Sequence, residues 1–132
     1  MKKIGIIGAM EVEVASLKSA MQVSRMLQKA QMEFLEGELE GCQVVVVRSG
    51  IGKVNAAVCT QILVDEFGVD GVINTGIAGS LKAEINIGDI VLSTDVLHHD
   101  MDATGFGYKP GQIPQMNVFS FEADAQMRKI AK

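Results

Sequence analysis

The fold is decided by residues 3–14, which read KIGIIGAMEVEV. The segment Lys3–Gly8 is a short apolar run closed by glycine, the pattern of a parallel strand that is covered on both faces. From Glu13 onward the apolar period changes to that of a helix. The apolar residues of this helical pattern are Val14, Leu17 and Met21. The stretch therefore predicts a strand, a tight turn and a helix.

Three elements, the two strands of a hairpin and a helix, are predicted between residues 33 and 68. Weak alternation over Glu33–Leu39, a turn at Glu40-Gly41 and four valines within Cys42–Arg48 indicate a hairpin that leads into a buried strand. The helical period then resumes at Val54 and runs to Phe67, after which Gly68 offers a left-handed cap.

Three further elements are predicted after this helix. Val69–Thr75 has the pattern of a central strand, and Asp89–Leu97 that of another strand. Residues 98–117 are rich in Gly, Pro and Asp, which predicts a long loop with a functional or intersubunit role. Glu122–Lys132 is typical of a helix whose apolar face has no packing partner within this sequence. We therefore expect that partner to lie beyond Lys132.

Strands that alternate with helices predict an α/β fold with a mixed, largely parallel central sheet flanked by helices. A chain of 132 residues, 48% of them apolar, is large enough for one core of ordinary size. We interpret residues 1–132 as a single α/β domain, the incomplete amino-terminal part of a larger one. In such sheets the ligand binds at the carboxyl ends of the strands.

Composition excludes several classes of partner. The net charge is −4 and the twelve Lys and Arg residues are scattered, which argues against nucleic acid. No apolar stretch approaches the roughly 20 residues that a membrane-spanning helix needs, so we expect no membrane partner and a cytoplasmic location. The two cysteines, Cys42 and Cys59, have no zinc-site spacing, and we interpret both as reduced core thiols.

Three small-residue loops follow predicted strands: residues 8–10, 49–53 and 75–80. Glycine allows a backbone to approach a ligand closely. However, residues 50–55 lack the third glycine of a dinucleotide-binding fingerprint, and they also lack the Ser/Thr and the earlier glycine of a phosphate-binding P-loop. Taken alone, each loop is more simply explained as an ordinary tight turn.

Taken together, the three loops carry a resemblance. GIIGAMEVE (5–13), SGIGKVNAA (49–57) and INTGIAG (73–79) match, in order and spacing, the 5'-methylthioadenosine/S-adenosylhomocysteine nucleosidases. A later run with His99-Asp100, FGY (106–108) and GQIP (111–114) is similar to the same family. The resemblance covers essentially the whole chain and implies a phosphorylase/nucleosidase-like fold.

The resemblance implies a reaction and a catalytic residue. These enzymes hydrolyse an N-glycosidic bond and release adenine from 5'-thio nucleosides, without a metal or an organic cofactor. By resemblance, Glu13 is the catalytic carboxylate that positions and deprotonates the attacking water. The carboxylates of Glu11 and Glu13 would repel phosphate, so water is the expected nucleophile. Without the surrounding motif, Glu13 would be an ordinary solvated residue at a helix start.

The resemblance also implies a set of substrate-binding residues and a homodimer. Met10 and Ile51 match positions that line the ribose and the 5'-thio end, and Phe106 matches an aromatic that reaches the site of a neighbouring subunit. The remaining matches are Ala78 and Gly79, whose backbone lies close to the base or sugar, and Ile77 beside them. Core packing is the alternative role for Met10 and Ile51. Metal binding by His98 and His99 is not expected, because adjacent side chains of an extended segment point in opposite directions.

Two departures from the family pattern affect the expected activity. Ile77 stands where many relatives have a serine whose hydroxyl helps to hold the water. The family's purine-facing aspartate and ribose-binding glutamate match nothing in residues 1–132, so we expect these residues alone to be nearly inactive. Two alternatives to the nucleosidase remain open: a purine nucleoside phosphorylase-type enzyme and a non-catalytic binding or dimerisation module.

Overall fold

The computed structural model describes residues 3–132. These residues fall into two compact units, of which the first ends at Gly79 and the second spans Ser80–Lys132. The single domain over residues 1–132 stays a prediction. The first unit contains five strands and two helices in the order β1 (Lys3–Gly8), α1 (Glu11–Ala20), β2 (Gln22–Lys29), β3 (Met32–Leu39), β4 (Cys42–Arg48), α2 (Lys53–Phe67) and β5 (Gly71–Asn74).

The five strands form one mixed sheet in the order β2-β3-β4-β1-β5. Strand β1 pairs in parallel with β4 on one side and with β5 on the other. Strands β2, β3 and β4 form an antiparallel meander beside them. The mixed sheet predicted from the sequence is thereby confirmed, and its parallel part is the trio β4-β1-β5.

The helices cover opposite faces of the sheet. On one face, Val14 of α1 packs with Ile6, Leu35 and the even-numbered valines of β4. On the other face, Leu63 and Phe67 of α2 pack with residues that include Ile7, Phe34 and the odd-numbered valines. This explains the unbroken run Val44–Val47, because successive side chains of a strand point to opposite faces and both faces here are covered.

Helix α2 ends as the sequence predicts. Gly68 adopts a left-handed conformation with φ 58° and ψ 43°, and its N–H donates to the carbonyl oxygens of Leu63 and Val64. Glycine reaches this conformation without steric cost, which ends the helix cleanly. The aromatic rings of Phe34 and Phe67 stack with their centroids 5.4 Å apart, fixing the end of α2 against β3.

Two sequence interpretations are wrong in this unit. Val69–Thr75 was expected to give a central strand, whereas β5 lies at an edge of the described sheet. Cys42 was expected to be a core thiol, but it is exposed at the start of β4, where the hairpin turn leaves it in solvent; Cys59 is buried in α2. In addition, strand β2 has no counterpart among the predicted elements.

The second unit has little regular structure. Strand β6 (Asp95–Val96) pairs with β7 (Phe121–Glu122), a 3-10 helix spans Thr104–Phe106, and α3 covers Ala125–Ala131. The predicted strand over Asp89–Leu97 is therefore wrong except for two residues. Its apolar side chains, such as Ile90 and Val91, are exposed in this unit, so no buried face stabilises a longer strand.

The final helix is shorter than predicted. It begins after Asp124, whose carboxylate accepts a hydrogen bond of 2.7 Å from the backbone N–H of Met127. An aspartate at this position caps the free N–H groups of a first turn and so defines where the helix starts.

Within the described residues, none of the helices has the length and apolar character required to cross a bilayer.

Candidate functional site

Three loops meet at the carboxyl ends of the parallel trio of strands. Loop 1 (residues 8–10) follows β1, loop 2 (residues 49–53) follows β4, and loop 3 (residues 75–79) follows β5. The N–H of Ser49 donates to the carbonyl oxygen of Gly8 and that of Thr75 to the carbonyl oxygen of Ile7, each at 2.9 Å. These bonds extend the ladder past the strand ends and hold the loops side by side.

The carboxylate of Glu13 joins two of these loops. Its Oε2 accepts a hydrogen bond of 2.8 Å from the N–H of Met10 in loop 1. Its Oε1 accepts a hydrogen bond of 3.0 Å from the N–H of Ile77 in loop 3, 64 residues further along the chain. A glutamate at the third position of a helix commonly reaches back to the N-terminal cap, which accounts for the first bond. The second bond, from the Ile77 N–H, is not part of helix capping, and it holds loop 3 next to Glu13.

These hydrogen bonds favour the ionised form of Glu13. Donation from the Met10 N–H, followed by donation from the Ile77 N–H and a smaller contribution from Ala9, lowers the pKa of the Glu13 carboxyl below its ordinary value. The physical cause is that backbone N–H groups stabilise the charged form of a carboxylate. A carboxylate has about four lone-pair sites, so each oxygen retains capacity to accept a further hydrogen bond from water.

Loop 2 is ordered by two polar side chains that were not singled out from the sequence. Ser49 is buried, and its hydroxyl donates to the carbonyl oxygen of Gly50 at 2.8 Å. The Asn55 side-chain amide donates to the carbonyl oxygen of Ile51 at 2.8 Å. The second contact ties the loop to the first turn of α2. Asn55 belongs to the motif SGIGKVNAA. Its position three residues after Gly52 is the sequence feature that could have predicted a side chain ordering loop 2.

The predicted binding residues of the first unit differ in how exposed they are. Met10 is half-buried beside the carboxylate. Ile51 in loop 2 and Ile77 in loop 3 expose 75% and 83% of their surface, so core packing, the alternative role considered for Ile51, does not hold. Ala78 and Gly79 are exposed in loop 3.

Ile77 acts at this site through its backbone. The missing serine hydroxyl does not weaken the anchoring of Glu13, because the donor is the main-chain N–H of residue 77. This contact does not depend on which side chain stands there. The side chain itself points into solvent and is free to contact a ligand.

Phe106 belongs to the second unit. It ends the 3-10 helix Thr104–Phe106, and 86% of its surface is exposed. Asp102 stabilises the start of this turn by accepting hydrogen bonds from the N–H and the hydroxyl of Thr104, which lowers the pKa of its carboxyl. The turn thus presents an aromatic side chain to solvent on an ordered segment.

The charges next to Glu13 are arranged around Glu11. Lys18 Nζ lies 3.0 Å from a Glu11 carboxylate oxygen, and Arg48 Nε lies 3.8 Å from the other. By sequence, loops 1 and 3 contain no Lys, Arg or His. The described residues also contain no group of three His, Cys, Asp or Glu side chains placed to hold a metal ion.

Comparison with known proteins gives a consistent set of similarities. A family model described as the phosphorylase superfamily matches residues 3–132. A 5'-methylthioadenosine/S-adenosylhomocysteine nucleosidase of Tolumonas auensis is 49% identical over 129 residues, which are 98% of this chain and 56% of the relative. The chain thus spans about half the length of the curated relatives that it matches.

Solved structures show the same similarity. A nucleosidase of this kind from Colwellia psychrerythraea, in complex with adenine, has a TM-score of 0.94 and 48% identity, with 98% of this chain and 53% of that chain covered. One from Neisseria meningitidis, in complex with methylthio-immucillin-A, has a TM-score of 0.94 and 43% identity over 99% of this chain and 56% of that chain. The resemblance found in the motifs is confirmed.

Proposed function

This chain belongs to the phosphorylase superfamily, and from that premise we propose that its full-length form hydrolyses 5'-methylthioadenosine and S-adenosylhomocysteine. The products are adenine and the corresponding 5'-thioribose. Support comes from the similarity to nucleosidases of that name and from a solved relative that holds adenine. Here, the full-length form means this chain continued to the length of its curated relatives.

The observation that carries the proposal is the Glu13 carboxylate held between loops 1 and 3. Both oxygens are fixed by backbone N–H groups at 2.8 and 3.0 Å, and both retain lone pairs for water. A carboxylate oriented in this way can accept a hydrogen bond from one water molecule and direct its oxygen at a carbon above the loops. Fixing the base before the reaction removes an entropic cost from the barrier.

In the proposed reaction, water attacks the anomeric carbon while the bond from that carbon to the adenine nitrogen breaks. The bonding electron pair leaves with adenine, and the sugar carries oxocarbenium character in the transition state. Glu13 accepts the proton that the water loses. Adenine must take up a proton as it leaves, and no residue of this chain is assigned to that step.

The substrate contacts are part of the same proposal. Met10 and Ile51 line the ribose and the 5'-thio end, and Ile77, Ala78 and Gly79 lie against the base or sugar. Phe106 contacts the alkylthio group in the site of a second subunit of a homodimer. Its 86% exposure on an ordered turn supports a role in contact with another molecule. The absence of a nucleic-acid partner accords with the net charge of −4, and a cytoplasmic location is part of the same proposal.

Phosphorolysis is the competing reaction within the superfamily. It needs cations around a phosphate, whereas loops 1 and 3 contain none and loop 2 contains one, Lys53. Lys18 and Arg48, on the neighbouring elements, lie against Glu11. An ionised carboxylate at the site repels a phosphate dianion. Water is therefore the nucleophile that this arrangement favours.

Adenine release from methylthioadenosine tests the proposal. We expect the full-length form to release adenine in phosphate-free buffer at a rate that added phosphate does not raise. Residues 1–132 alone are expected to release almost none. Turnover that requires phosphate would instead assign a phosphorylase, and binding without turnover in either buffer would assign a binding module.

A further inference from the structure

Loop 3 contains a glycine, Gly76, that faces the Glu13 carboxylate directly. A Cβ atom placed on Gly76 would lie 2.3 Å from Glu13 Oε1, 2.6 Å from Cδ and 3.1 Å from Oε2. Real Cβ atoms essentially never approach another heavy atom within 3.0 Å. The carboxylate therefore occupies the space that the side chain of any other residue would need.

The constraint is specific to this position in the loop. Gly79, three residues further along loop 3, has no atom within 4 Å of where its Cβ would lie. Gly76 also has φ +156°, at the margin of the region that favours glycine, so steric exclusion by Glu13 is the stronger of the two requirements. The neighbouring residue is Ile77, whose N–H donates to the same Oε1.

We infer that Gly76 is a positioning residue for the catalytic carboxylate, because its missing side chain leaves the room in which Glu13 reaches the Ile77 N–H. This inference rests on the proposed function of Glu13. A Cβ at residue 76 forces the carboxylate to move by about 1 Å to reach an ordinary contact distance. A displacement of that size at a reacting group lowers a rate by about a hundredfold.

The displacement also changes the proton affinity of Glu13. Losing the Ile77 N–H removes one of the donors that stabilise the anion, so the pKa of the carboxyl rises toward its ordinary value. The charged groups on the neighbouring elements are Glu11 and Lys18 of α1 and Arg48 at the end of β4, and both cations lie against Glu11. Lys53 is the ionisable residue of loop 2, and loops 1 and 3 have none.

The first test is a titration of the Glu13 side-chain carboxyl by ¹³C NMR in Gly76→Ala. We expect its pKa to rise relative to the unsubstituted chain. The matched control is Gly41→Ala in the turn between β3 and β4, which has φ +77° and no atom within 4 Å of the Cβ position. This control introduces backbone strain without a clash and should leave the Glu13 pKa unchanged. A Gly76→Ala chain that titrates like the unsubstituted one would overturn the inference.

The second test separates positioning from a general loss of structure. If the clash with Glu13 is the cause, Gly76→Ala lowers the urea midpoint of unfolding much less in a Glu13→Ala background, where the colliding atoms are absent. The remaining shift should be no larger than that of Gly41→Ala, because φ +156° at Gly76 strains a side chain less than φ +77° at Gly41. An equal loss in both backgrounds contradicts the inference, and this comparison remains decisive where Gly76→Ala unfolds too readily for NMR.

The third test uses the full-length form. We expect Gly76→Ala to lower kcat by about a hundredfold and to move the acid limb of the kcat/KM profile to higher pH. A lower kcat with an unmoved acid limb would contradict a positioning role. If the unsubstituted full-length form releases no adenine, the proposed function fails, while the titration and the unfolding comparison still decide the role of Gly76.

Discussion

Replacing Glu13 by glutamine tests the role of the carboxylate with almost no change in size. The native oxygens accept N–H donors from Met10 and Ile77 at 2.8 and 3.0 Å. A glutamine offers one accepting oxygen and one NH₂ group, so one of these two backbone donors must face another donor. Glu13→Gln therefore removes the negative charge and also loosens the geometry that orients it.

The expected loss in rate follows from both effects. A positioned general base contributes about 10²- to 10⁴-fold to a reaction rate. Because the substitution disturbs the anchoring as well as the base, we expect kcat of the full-length form to fall by about 10³-fold or more. Adenine release from methylthioadenosine at saturating substrate measures this loss.

Both the activity and the stability contributed by Glu13 are expected to fall at acid pH. The pKa of Glu13 is lowered in the folded protein by donation from the Met10 and Ile77 N–H groups. Glu13 therefore stays ionised to lower pH than an ordinary glutamate, and we expect activity to be lost as the pH falls through that lowered pKa. The same shift contributes stability that is present above the unfolded-state pKa and is lost as the pH falls through the folded-state value.

The matched control is Glu11→Gln. Glu11 lies in the same first turn of α1, but its side chain is half-exposed and its partners are Lys18 and Arg48. We expect this variant to retain kcat within a few-fold of the unsubstituted enzyme. The reasoning is refuted if Glu13→Gln stays within about tenfold of the unsubstituted rate, or if Glu11→Gln loses as much as Glu13→Gln.

Three further outcomes follow from the packing and the loops. Leu63→Ala leaves a cavity at a fully buried position between α2 and the sheet and should lower the free energy of unfolding in urea by about 2–5 kcal/mol. A loss below about 1 kcal/mol would contradict the assigned core. In the folded chain a thiol reagent should modify exposed Cys42 but not Cys59, because burial raises the pKa of Cys59 to about 11; rapid modification of two thiols would disprove this. Asn55→Ala removes the hydrogen bond to the Ile51 carbonyl oxygen and should raise KM by up to about tenfold. Circular dichroism should show that the fold is intact. An unchanged KM would exclude loop 2 from substrate binding.

Much of the first unit could be predicted from the sequence because its signals are local. The apolar run Lys3–Gly8, the turn at Glu40-Gly41 and the left-handed cap at Gly68 each depend on nearby residues, and each is found where expected. Strand β2 was missed because nearly all of its residues, Val23 and Met26 included, are exposed. An exposed edge strand shows no alternation of apolar and polar residues for a sequence pattern to detect.

The predicted strand over Asp89–Leu97 is wrong for a different reason: here a strand-like pattern is present, but the strand is not. The segment has apolar residues in a strand-like pattern, yet only Asp95 and Val96 pair with another strand. An apolar pattern becomes a long strand only where neighbouring strands and a covering layer bury it. In the described residues of the second unit, β7 pairs with only two residues of the segment, and Ile90 and Val91 stay exposed. Strand propensity alone could not reveal this.

The sequence could predict that the candidate site lies at the carboxyl ends of the parallel strands, but not which backbone groups contact Glu13. Parallel strands that end together place loops 1 and 3 next to each other, so a meeting of Glu13 with loop 3 follows from topology. The side chain of Ile77 gives no indication that its backbone N–H donates to Glu13. The direction of a backbone N–H depends on the loop conformation, which three-dimensional structure reveals and residue identity does not.

The central claim is that the reaction occurs at the Glu13 carboxylate, and a crystal structure of the full-length form with a methylthioadenosine analogue tests it most directly. The measured quantity is the position of the water nearest to the anomeric carbon. We predict a water within about 2.6–3.2 Å of a Glu13 oxygen, on the face of the sugar opposite the base, with the Met10 and Ile77 hydrogen bonds retained. An analogue whose anomeric carbon lies away from loops 1 and 3, with Glu13 turned to solvent, would contradict the claim.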